Sequence, residues 1–153
     1  MTPARTTITR LGNALGVWLY RRSDGRLSGP SRGTTIGLLT VPGRNTGIPR
    51  SVAVAFFPHG SNYLVAGSGS GSTRDPQWFR NLSATTHAQL QIGATHIDVH
   101  VRVTDNAERD MLWHEVILVQ APWRRRYEKK ARRVIPVAVL TPGADEARRA
   151  DSS

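Results

Sequence analysis

In the run HIDVHVRV, from His96 to Val103, every second residue is a β-branched hydrocarbon, Ile97, Val99, Val101 and Val103, and polar residues fill the places between. A period of two sends alternate side chains to opposite faces of a strand, so such a segment needs one face in a core and the other in water. That is the pattern of antiparallel sheet. The preceding AQLQIG repeats it, with Leu90 and Ile92 alternating with Gln89 and Gln91. Upstream, TIGLLT, SVAVAFF and NYLVAG are apolar and partly β-branched, VPGRNTGIPR supplies turn residues between the first two, and IPVAVLT offers a last strand. Asp75-Pro76 suits a helix start, Asp as N-cap and Pro at the first helical position, carrying Trp78, Phe79 and Leu82 into the core. A second helix is expected from Asn106 to about Val119. Short strands that do not alternate with helices predict a mainly β, antiparallel small barrel with flanking helices rather than a doubly wound sheet.

With 153 residues the chain suits one domain with tails. Residues 1–33 read as an amphipathic helix and linker, 34–141 as the barrel, and 142–153 as a polar, disordered tail. In the first of these, Ile8, Leu11, Leu15, Trp18 and Leu19 recur at helical spacing beside Arg10, Arg21 and Arg22. The stripe fits packing on the core, and equally a helix lying on an anionic membrane surface. No run reaches a spanning length, and the N-terminal layout is not that of a signal peptide, so a cytoplasmic protein is expected, with peripheral attachment to the inner face of the cell membrane as the sharper reading. There is no cysteine, which excludes disulfides, thiolate metal sites and a cysteine nucleophile. The formal charge of +10 favours an anionic partner without choosing one.

Two loops have residues suited to anions. VAGSGSGSTRDPQWFRNL has three small Gly-Ser steps before the helix start, which permits close backbone approach, free N–H groups and partial positive charge, although it fits neither the dinucleotide nor the triphosphate fingerprint: Ser72 stands at the sixth place counted from Gly67. Read by itself, it is also compatible with a flexible surface loop. LLTVPGRNTGIPR places Arg44 between Gly43 and Gly47, and a hairpin turn has no need of a guanidinium. If both loops share one barrel end, they form a single anion-binding mouth. His96 and His100, four places apart on a strand, are roughly 13 Å apart, too far to share a metal ion, and read as solvent-facing. WRRRYEKKARR, Trp123 to Arg133, reads as a solvated face or a lipid-phosphate contact; no nucleic-acid module accompanies it, so nucleic acid is not expected as a partner.

Taken together, LLTVPGRNTGIPR, YLVAGSGSGSTRDPQWFRNL and VIPVAVLTP, in that order, resemble the deazaflavin-dependent nitroreductase family of actinobacterial split β-barrel oxidoreductases over Ile36 to Thr141. The segment Pro76 to Leu82 carries most of the likeness. The resemblance implies a split, FMN-binding-like barrel and coenzyme F-420, whose deazaflavin carries a phosphate and an oligoglutamate tail. It implies that Leu38, Leu39 and Thr40 line the ring's side and that Arg44, Asn45, Thr46, Gly47, Ile48 and Pro49 meet the phosphate and tail. Ala66, Gly67, Ser68 and Gly69 would supply backbone, and Gln77, Trp78, Phe79, Arg80 and Asn81 would complete the pocket. Family members often carry lysine where this chain has Asn45 and Gly69, leaving Arg50 or Arg74 to compensate, and tyrosines where it has Ala121 and Arg124, while Tyr127 matches. The function so implied is hydride transfer from reduced F-420 to a quinone, enone or nitroaromatic acceptor, with Tyr127 or Ser68 handling a proton. The alternatives are a non-catalytic carrier of deazaflavin or a lipid-like ligand, and a split barrel using FMN. A homodimer is expected by analogy.

Overall fold

The computed structural model describes residues 35–69 and 71–143. The helix and linker expected over 1–33, and the tail beyond Gly143, lie outside the described residues. Six strands, β1 Thr35–Pro42, β2 Pro49–His59, β3 Asn62–Ala66, β4 His87–Ile92, β5 Thr95–Val103 and β6 Val137–Pro142, close into a barrel in the order β1-β2-β3-β6-β5-β4. Every neighbouring pair is antiparallel, β4 pairing back onto β1 through Leu39 and Leu90. The antiparallel barrel expected from the period-two runs is thus what the chain forms.

Register explains the alternation. Leu90 stands opposite Ile97 and Ala88 opposite Val99, so apolar partners share the inner face and join Leu39, Val41, Val54, Phe56, Val65, Val101 and Leu140 in the barrel core. On the outer face of the same strands, Gln89 donates to Asp98 at 3.0 Å, and His96 and His100 are exposed, as expected. Helix α1, Gln77–Ser83, adds Phe79 and Leu82 to this core. β3 and β6 are apolar on both faces because a second cluster covers their outside: Leu64, Ala66, Val137 and Val139 pack with Phe57, Leu112, Trp113 and Ile117.

That outer layer is helical. Helix α2, Asn106–Leu112, begins where Asp105 accepts from the Glu108 N–H at 2.8 Å and runs through a π-helical turn, Trp113–Ile117, into α3, Leu118–Gln120. The second expected helix is therefore present over its expected range. At α1 the expected cap differs. Pro76 precedes the helix without a side-chain cap, and the Asp75 carboxylate is bound by Arg133 Nη1 at 2.6 Å. With the helix starting at Gln77, Asp75 stands one place before the cap, and its carboxylate is taken up by the guanidinium instead.

The basic run is not a solvated face throughout. It forms a 3-10 turn, Pro122–Arg124, and helix α4, Arg125–Ala131. Glu128 fixes α4 to the outer layer: it accepts from Trp113 Nε1 at 2.9 Å and lies 3.6 Å from Arg109 Nη2. Arg109 is itself buried, donates from Nε to the Ile135 carbonyl at 2.7 Å and stands 5.0 Å over the Trp113 ring.

Candidate cofactor and acceptor site

The β1–β2 turn is closed by two backbone bonds, Gly43 N–H to Ile48 O at 2.9 Å and Gly47 N–H to Gly43 O at 2.7 Å. Gly47 sits at φ 72°, a left-handed conformation in which glycine alone is unstrained. The turn holds Arg44 against α1. Its backbone N–H donates to Asn81 Oδ1 at 3.2 Å, Nη1 to the same oxygen at 2.7 Å and Nη2 to Gln77 Oε1 at 2.8 Å. Both acceptors are neutral amides, so the guanidinium is held in place while no carboxylate among the described residues forms an ion pair with it. A Cβ built on Gly43 would lie 3.6 Å from Arg50 Nε, which puts a second guanidinium against the same turn.

The glycine loop is held from the other side, by the basic run. Arg133 donates from Nη2 to the carbonyls of Gly67 (2.9 Å) and Arg74 (3.0 Å), from Nε to the Ser72 carbonyl (3.1 Å), and from Nη1 to Asp75. The aliphatic stem of Lys130 lies where a Gly71 side chain would start, 2.9 to 3.2 Å from an ideal Cβ. Arg124 Nη1 approaches Ser68 Oγ at 3.4 Å, and its guanidinium lies 5.0 Å over the Phe57 ring and 5.5 Å over the Tyr127 ring. Burial pushes the Arg124 pKa below its ordinary value and Tyr127 pulls the other way. Arginine keeps its proton in proteins, so the charge remains.

The two loops and α1 are therefore adjacent, but the residues differ in what they present. Leu39 and Phe79 turn their side chains into the barrel core, and Ala66 packs in the outer cluster. Leu38, though buried, alternates with Leu39, and Thr40 binds Ser51 Oγ at 2.7 Å on the outer side of β1. Asn45, Thr46, Gly47, Ile48 and Pro49 are exposed, as are Gln77 and Arg80; Trp78 is half-buried, edge-on to Phe79 at 5.5 Å. Gly67 has no room for a side chain, since a Cβ would stand 2.8 Å from the Phe79 ring. Ser68 is buried and Tyr127 half-buried. The N–H groups expected to be free are partly engaged: Gly67 donates to Pro136 O, and Gly71 and Ser72 both donate to Ser68 O. Sequence reasoning missed Arg133, Lys130 and the engagement of Arg124 with Ser68. The usable signal was the excess of arginines over carboxylates in WRRRYEKKARR, which a solvated face does not require. A surface cleft lined by His114, Leu118, Arg125 and Lys129 shares Arg133 with this region but contains neither loop.

Comparison with known proteins bears on the whole arrangement. An F-420H(2)-dependent quinone reductase of Mycobacterium tuberculosis is 29% identical over 126 residues, spanning 80% of this chain and 85% of the relative. A solved F-420-H2 dependent reductase, FDR-A, superposes with a TM-score of 0.62 at 26% identity, covering 69% of this chain and 93% of that one. A second solved chain, described as a domain-swapped dimer, shares the fold with a TM-score of 0.62 at 24% identity, over 82% of this chain and 98% of its own. The model of the F-420H(2)-dependent quinone reductase family matches residues 14–142, from within the N-terminal segment to the end of β6, and the chain belongs to that family.

Proposed function

We propose that the rim built from the β1–β2 turn, the glycine loop and α4 is where this F-420-dependent oxidoreductase holds its deazaflavin and reduces a quinone. The observation that carries the reading is the Arg44 clamp: one side chain ties the turn to α1 through Asn81 and Gln77 and has no carboxylate ion-pair partner among the described residues. The donor set suits coenzyme F-420. Arg44, fixed on Asn81 and Gln77, and Arg50, against the same turn, offer cations for the phosphate and oligoglutamate.

When bound, the deazaflavin supplies the hydride, and the chain supplies position and electrostatics. Arg44 to Pro49 bind the charged tail, Leu38 and Thr40 line the ring on the outer side of β1, and Gln77, Trp78 and Asn81 close the pocket. At the acceptor, the oxygen that gains the electron pair takes a proton, and Ser68 Oγ and Tyr127 Oη are the hydroxyl groups proposed to hand one over from water. Enones and nitroaromatics, also electron-poor, belong in the same assay. The test is titration with oxidised F-420 followed by turnover of the reduced form with menadione. Saturable binding that weakens about tenfold in Arg44→Ala, from the loss of a charge-assisted contact, is the expected result; absence of saturable binding in the wild type sinks the reading. Binding without consumption of any acceptor would favour a carrier, and a flavin spectrum in the purified protein would favour FMN.

Two further elements belong to the proposal. Among the described residues no helix is long and apolar enough to cross a membrane. The 1–33 segment, with Trp18 beside Arg21 and Arg22, is proposed to attach the protein peripherally to anionic lipid, which co-sedimentation with anionic vesicles at low salt would detect. The protein is also proposed to pair as a homodimer, by analogy with its relatives, which sedimentation velocity resolves.

A further inference from the structure

Arg124 stands apart from the other arginines that organise this rim. Arg44, Arg109 and Arg133 each have at least two protein acceptors at hydrogen-bond distance. Arg124 has one among the described residues, Ser68 Oγ, at the long end of the range, and its Nε, like Arg109 Nη2, is buried with no acceptor. No carboxylate among the described residues forms an ion pair with it. Its guanidinium is held by ring faces, Phe57 on one contact and Tyr127 on another, which fix its plane without neutralising its charge. A cation withdrawn from water without a counter-ion is costly, and a protein that only needed a packed outer layer would be better served by an apolar residue.

We propose that Arg124, with Ser68, is an acceptor-side anion subsite that makes this protein favour quinones carrying an ionised oxygen over neutral quinones of the same size. The proposal rests on the reading that acceptors bind beside Ser68 and Tyr127. It gives the rim two cationic stations of different purpose: Arg44 at the turn for the cofactor's tail, and Arg124 under the glycine loop for the acceptor. The planar fork matters as well as the charge, because a guanidinium resting on the Phe57 and Tyr127 rings presents its N–H groups in a fixed plane.

The test is equilibrium binding, without turnover, of two naphthoquinones to the protein alone and to the protein saturated with oxidised F-420. Lawsone is a vinylogous acid and is ionised at neutral pH; menadione carries a methyl group in place of the hydroxyl and is neutral. Wild type is expected to bind lawsone roughly tenfold or more tightly than menadione, the size of one charge-assisted hydrogen bond. The ratio should fall to about one in Arg124→Gln and be only partly kept in Arg124→Lys, with the thermal midpoint of Arg124→Gln at or above that of wild type. In wild type the preference should also vanish as pH falls below lawsone's own pKa, a reading that needs no variant. An unchanged ratio in Arg124→Gln, or no preference in a wild type that does bind F-420, would overturn the subsite. A wild type that keeps the preference but fails to bind F-420 would instead refute the cofactor reading and leave the subsite standing.

Discussion

At Gly37 a Cβ would stand 2.4 Å from Phe56 Cε2 and 2.7 Å from the Gln91 carbonyl, so β1 passes its neighbours with no space for a methyl group. Phe56 is fully buried and cannot swing away. Gly37→Ala is therefore expected to destabilise the protein by about 1–3 kcal/mol, the usual cost of forcing a core to relax, measurable as a lower denaturant midpoint with an unchanged slope. Arg132 offers the opposite case. It ends α4 at φ 53°, a left-handed conformation that costs a residue with a Cβ about 1–2 kcal/mol, against about 0.5–1 kcal/mol of chain entropy lost by glycine. Arg132→Gly should raise stability by up to about 1 kcal/mol on this difference, seen as a higher thermal midpoint. A lower midpoint would mean that the Arg132 side chain makes contacts worth more than the backbone relief.

Helix α4 carries Tyr127 and Glu128, and its own hold is narrow. Of its residues, Ala131 is the buried one, and Glu128 ties it to Trp113 and Arg109. Glu128→Ala leaves the buried Arg109 without its partner on α4 and the Trp113 N–H unsatisfied, a loss of about 2–3 kcal/mol given the half-buried setting. Hydrogen exchange is expected to quicken first over 122–134 while β4 and β5 stay protected; uniform quickening would show that α4 and the barrel open as one unit. This element also marks where the sequence stopped being readable. The strands announce themselves because a barrel wall in water must alternate, and β4 and β5 do so residue by residue. α4 shows no apolar stripe, since it is fastened by charge and ring contacts rather than by a hydrophobic face. Asp75 departs from its expected capping role for the same reason: a capping rule looks a few positions along the chain, and its partner, Arg133, lies 58 positions away. The candidate loops could be found from glycine and arginine placement, whereas the cations that shape the glycine loop could not, because their bonds span 56 to 66 positions.

Across the molecule, the excess of 21 basic over 11 acidic residues sets up a field that attracts a multiply charged cofactor at a distance. Affinity for F-420 should accordingly fall about tenfold between dilute buffer and a salt concentration that shortens the screening length to a few ångströms, while affinity for menadione stays level. Equal salt sensitivity of both would assign the effect to the protein's stability instead of its field. The six strands also close on themselves, β4 meeting β1 through Leu38, Leu39 and Thr40. β2 nevertheless meets β3 only through Phe57, Pro58 and His59, so along Pro49 to Phe56 its one strand partner among the described residues is β1. Growth of two copies through their strands is thereby confined to such short stretches of the wall.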